Sequence, residues 1–85
     1  MKTLADLNKG YSAEIEWIDT SGPGVLRLMM LGLVEGAAVR HRGTAIGGDP
    51  LELSVYGASI SVRREQARYF KVNGNAAEAS SGLIP

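Results

Sequence analysis

Leu51-Glu52-Leu53-Ser54-Val55-Tyr56-Gly57-Ala58-Ser59-Ile60-Ser61-Val62 is the stretch that sets the fold class. Leu51, Leu53 and Val55 alternate with Glu52, Ser54 and Tyr56, the period-two pattern of a strand with one buried face. Gly57 marks a hairpin turn, and the alternation resumes with Ile60 and Val62 set against Ser59 and Ser61. On the upstream side, Gly47-Gly48-Asp49-Pro50 is made of residues that accept tight-turn geometry. The cleanest strand of the chain is thus bracketed by two turns.

Working outward, Ala37-Ala38-Val39-Arg40-His41-Arg42 reads as a strand, and so does Ser12-Ala13-Glu14-Ile15-Glu16-Trp17. Ile18 breaks the second alternation, so a bulge or strand end is expected there. Thr3 can cap a short turn through Ala5 and Leu7 before Gly10 stops it. Arg63-Arg64-Glu65-Gln66-Ala67-Arg68 reads as about one helical turn, and Tyr69-Phe70-Lys71-Val72 as a last strand. The expected fold is mainly β: a small SH3-like β-barrel of about five strands with short helices, closed because a flat sheet of this size leaves two open edges. The domain is placed at residues 1–73, with 74–85 as a flexible C-terminal tail rich in Asn, Gly, Ala and Ser.

Between the first two strands lies Val25-Leu26-Arg27-Leu28-Met29-Met30-Leu31-Gly32-Leu33-Val34-Glu35-Gly36. Nine of its first ten positions are apolar or glycine, and Arg27 is the exception. Asp19-Thr20-Ser21-Gly22-Pro23-Gly24 is the loop before it, with Thr20 or Ser21 as the expected cap of a helix over 25–33. At helical spacing Val25, Leu28 and Met29 share one face, and Leu26, Met30 and Leu33 another. A helix apolar all round is buried all round or presents its second face to a partner. A small irregular core could absorb every one of these residues. The surplus, with two adjacent methionines that suit an adaptable contact, instead points to a partner-binding surface formed by Leu26, Arg27, Met30 and Leu31.

Composition narrows the classes of function. The 85 residues make one domain, with nine basic and nine acidic residues and no cysteine. Disulfides and thiolate chemistry are excluded. The balanced charge argues against a nucleic-acid partner. The N-terminus lacks the apolar core of a signal peptide, and Val25–Val34 is short of the ~20 residues a membrane span needs, so a cytoplasmic protein without direct membrane insertion is expected.

No catalytic constellation emerges, and no enzyme activity or cofactor is expected. Glu14 and Glu16 lie two apart on a strand and share a side, as an acid–base pair would or as any solvated strand face does. His41 is the only imidazole, too few ligands for a structural zinc; it could serve only as a shared ligand between copies, and is more simply a strand residue. Gly43-Thr44-Ala45-Ile46-Gly47-Gly48 lacks the Gly-Lys-Ser/Thr of a phosphate loop and reads as a hairpin turn. Arg63, Arg64 and Arg68 could form a basic patch with Arg40 and Arg42, beside Tyr56 and Tyr69, or simply a solvated helical turn.

Taken in order, these motifs resemble the ferrous iron transport protein A (FeoA) family. The resemblance runs from Leu4-Ala5-Asp6-Leu7 with Gly10, through Ala13 and Ile15, to Arg27–Gly36 and Val39. It continues with Gly48-Asp49-Pro50, Val55, Gly57, Ile60, Val62-Arg63, Glu65, Ala67 and Val72. Ile46 and Glu35 stand where the family often has proline, and Val62 replaces a common leucine. The resemblance implies a cytoplasmic, non-enzymatic accessory protein that binds or regulates the membrane ferrous iron transporter of the GTP-binding type through protein–protein contacts. The family's barrel also occurs at the C-terminus of metal-dependent transcriptional repressors. The alternative is therefore a self-associating, metal-responsive regulatory barrel, and a homo-oligomer fits either reading.

Overall fold

The computed structural model describes residues 2–73. The expected tail, 74–85, lies outside the described residues. The chain runs through a 3₁₀ turn at Leu4–Asp6, β1 at Ser12–Ile18, α1 at Val25–Met30, β2 at Ala38–Thr44, β3 at Leu51–Val55, β4 at Ala58–Val62, α2 at Arg64–Ala67 and β5 at Phe70–Val72. The strands form one antiparallel sheet in the order β4-β3-β2-β1-β5, curled into an SH3-like barrel. Leu4, Ile15, Leu28, Leu33, Val39, Leu51, Leu53, Val55, Val62 and Phe70 are buried in its single core. Each such side chain adds about 1.5–3 kcal/mol relative to leaving it in water.

The hairpin forms as the alternation dictates. Leu51, Leu53 and Val55 point inward, paired with Val62, Ile60 and Ala58. Tyr56 is not a strand residue, however. With Gly57 it makes a two-residue turn in which both have positive φ, 50° and 82°, the mirror-image turn that matches strand twist.

Two bulges adjust the strands. In β1 the register against β5 shifts between Ile15 and Trp17, two residues before Ile18, where β1 ends. The extra residue keeps Ile18 in the core and leaves Trp17 half exposed. In β2 the register against β3 shifts between His41 and Gly43, a bulge the sequence pattern does not announce.

α1 departs from expectation at both ends. Its N-cap is Gly24, with no side-chain cap; Ser21 instead donates from its backbone N–H and hydroxyl to Asp19 Oδ1, at 3.0 and 2.6 Å. The helix stops at Met30, short of Leu33. Gly32, at φ 119°, lets its own N–H bond Met29 O at 3.0 Å and the Leu33 N–H bond Leu28 O at 3.2 Å, a Schellman closure. That reversal buries Leu33 completely, so Leu33 does not share the face of Leu26 and Met30.

Candidate functional site

The exposed face of α1 is built by this early stop. Val25 and Leu28 enter the core, while Met29 packs half-buried against it. Leu26, Met30 and Leu31 remain 63%, 86% and 50% exposed, and Arg27 is exposed among them. Among the described residues Arg27 has no ion pair. The face extends beyond the helix. A Cβ on Gly32 would stand 3.5 Å from Val55 Cγ1 and 3.6 Å from Tyr56 Cδ2, so the β3–β4 turn lies against the C-terminal end of α1. Tyr56 is exposed there and enlarges the apolar surface. A tyrosine taking positive φ before Gly57 is the one local signal, and only the fold places it beside the helix.

The loop that leads into α1 is held by α2 and the residue just beyond it. Gln66 Nε2 donates to Pro23 O at 3.4 Å, and the Tyr69 ring lies flat against Gly22. Asp49, from the turn before β3, accepts from the Arg64 N–H at 3.0 Å and so caps α2. Arg64 donates from Nε to Gly48 O at 2.6 Å and from Nη1 to Ala5 O at 3.2 Å, tying that turn and the 3₁₀ segment together. Arg63 reaches Asp49 only at 4.0 Å. Arg63, Arg64 and Arg68, in and flanking α2, therefore do not form one surface: Arg64 is committed to backbone carbonyls, and Arg68 lines a different cleft.

That cleft, of about 410 Å³, is lined by Thr3, Ala5, Asp6, Trp17, Asp19, Arg68, Tyr69 and Lys71. The Ser21 hydroxyl and N–H, with Lys71 nearby, hold the half-buried Asp19 carboxyl below the ordinary carboxylate range.

His41 is buried in β2. Its Nδ1 lies 2.8 Å from Leu7 O and its Nε2 2.9 Å from Gly43 O. Its backbone joins the same region, accepting from the Gly10 N–H and donating to Tyr11 O. Service as a shared metal ligand would require the ring to leave both carbonyls. Glu14 and Glu16 are both solvated, and among the described residues no cluster of three or more His, Asp or Glu could hold a metal ion. The stretch 43–48 contributes the end of β2 and a loop, with no helix start to receive a phosphate. No helix of the described residues is long and apolar enough to cross a membrane.

Comparison with known proteins places this geometry. The model of the FeoA domain matches residues 2–73. The FeoA protein of Chlorobium tepidum is 34% identical over 85% of this chain and 69% of its own, with a TM-score of 0.76. The zinc-complexed FeoA of Stenotrophomonas maltophilia, described as a prokaryotic SH3 domain protein and proposed as a ferrous iron transport activating factor, is 28% identical over 89% of this chain and 94% of its own, with a TM-score of 0.78. The IdeR of T. acidophilum shares the fold alone, at 22% identity over 82% of this chain and 32% of its own, with a TM-score of 0.69. The curated proteins give no match.

Proposed function

Because the chain belongs to the FeoA family, an accessory family of iron uptake, we propose that it acts in the cytoplasm, without enzyme activity, on the membrane ferrous iron transporter of the GTP-binding type. Contact is made through Leu26, Arg27, Met30 and Leu31, with Tyr56 at the margin. The observation that carries this reading is the exposure of three large apolar side chains, on α1 and at its C-cap, around a cation with no ion pair among the described residues, while Val25 and Leu28 on the other face are buried. A monomer rarely leaves such side chains together in water without a docking role. Arg27 gives the surface a polar anchor that rejects non-specific apolar partners.

The test is capture of the transporter's cytosolic domain by the purified protein, wild type against Met30→Asp. Burying one such side chain contributes about 1.5–3 kcal/mol, so the variant should bind at least about tenfold more weakly. Its melting temperature should stay near that of the wild type, since Met30 is almost wholly solvated. Equal capture by both proteins would refute this surface. A metal-dependent change in oligomeric state, with no capture, would favour the regulatory barrel.

A further inference from the structure

The two edges of the sheet are unlike. The outer edge of β5 is covered by the N-terminal segment: the Val72 N–H donates to Lys2 O at 2.9 Å, and Thr3 bridges Lys71. β4 has only β3 as a strand neighbour. The two-residue turn makes Val55 and Ala58 the closing hydrogen-bonded pair. Counting on by twos, Ala58, Ile60 and Val62 direct their N–H and C=O groups to β3, and Ser59 and Ser61 direct theirs outward. Among the described residues no backbone bond reaches these outward groups, and both serines are exposed. Open edges are normally guarded by a charge, a proline or a bulge. Ala58-Ser59-Ile60-Ser61-Val62 has no charge and no proline, and its register with β3 is unbroken.

We propose that β4 is the edge through which two copies of this chain pair, antiparallel about a two-fold axis at Ile60. In this register Ser59 faces Ser61 of the partner subunit and Ser61 faces Ser59 of the partner subunit. Every outward N–H then meets an outward carbonyl, with none left over. A second copy fits because the edge is complementary to itself. The facing side chains are small and uncharged, so like meets like without repulsion. The nearest cation, Arg63, falls opposite Gly57 of the partner subunit, which has no side chain to oppose it. Glu52 is engaged by the Ser61 hydroxyl within its own chain. The joined edge is short, so the association is weak and reversible. This inference stands on β4 and does not depend on the transporter reading.

Sedimentation equilibrium over a wide concentration range, with amide exchange followed by NMR, tests it. The wild type should dimerise reversibly at micromolar to millimolar concentration, and the Ser59 and Ser61 amides should exchange more slowly as concentration rises. Ser59→Lys with Ser61→Lys sets lysine against lysine twice and should weaken the dimer about tenfold. Ser59→Glu with Ser61→Lys sets opposite charges face to face and should restore or tighten it. Both double variants lose the same Ser61 hydroxyl, so folding effects common to that change cancel. A wild type that stays monomeric at millimolar concentration overturns the proposal. So does a dimer that ignores the charge swap, or one whose Ser59 and Ser61 amides exchange at the monomer rate.

Discussion

Gly22, in the loop before α1, fits against the Tyr69 ring just after α2, and Gly22→Ala should break that fit. A Cβ at this position would stand 2.5, 2.7 and 2.7 Å from Tyr69 Cγ, Cδ1 and Cδ2. Carbon atoms in favourable contact sit about 3.5–4.0 Å apart, so the ring would have to retreat by about 1 Å. It has little freedom to do so. The Tyr69 N–H is bonded to Gln66 O at 3.1 Å, and its carbonyl accepts from the Asp19 N–H at 2.9 Å. Gly22 does not have positive φ, so alanine adds no backbone strain and the effect is steric alone. Overpacking of this kind costs typically about 1–3 kcal/mol. For a domain of this size a loss of about 2 kcal/mol lowers the melting temperature by about 8–16 °C. Thermal unfolding followed by circular dichroism measures it, in a double-mutant cycle with Tyr69→Ala. With the ring removed, Gly22→Ala should cost less than about 0.5 kcal/mol. An unchanged melting temperature in the single variant, or an equal loss in both backgrounds, would refute the steric account.

Asp49→Ala removes the acceptor that caps α2 and should lower stability by about 1 kcal/mol, while Asp49→Asn, which keeps an oxygen, should lose less; urea unfolding compares them. The distant Arg63 contact adds little, because exposed pairs contribute about 0–1 kcal/mol. Leu28→Asp puts a carboxylate into the core and should unfold the domain, whereas Met30→Asp leaves a native NMR spectrum; unfolding by both would mean that α1 is packed on every side. The folded-state pKa of Asp19 lies below its ordinary value, so the Ser21 bonds stabilise the loop above the carboxylate range and are lost as pH falls through the folded value. Ser21→Ala should move the NMR titration of Asp19 upward toward the ordinary value.

The strands were legible in the residues because period-two alternation is a local property. Leu51, Leu53, Val55, Ile60 and Val62 each have a polar neighbour that can face only water, and all five are buried. The Thr3 cap and the hairpin at Gly57 were legible for the same reason: a few consecutive residues carry the whole signal. The hydrogen-bonded turn before β3 sits earlier than Gly47-Gly48-Asp49-Pro50 suggested, with the Gly48 N–H donating to Ala45 O at 2.9 Å. The exposure of Leu26 and Met30 beside a buried Leu28 also follows from helical spacing. The end of α1 did not. The reversal at Gly32 that buries Leu33 depends on a core cavity supplied by strands elsewhere in the chain. Tyr56 joins the α1 face, and Asp49 caps a helix that begins 15 residues later, through sheet register alone. His41 read as a lone imidazole between two arginines, yet its ring is buried between the carbonyls of Leu7 and Gly43. Local pattern specifies which way a side chain faces, because that is fixed by its own backbone. Which distant group it then meets is decided by how the sheet curls over its core, which brings together residues that share no signal along the chain.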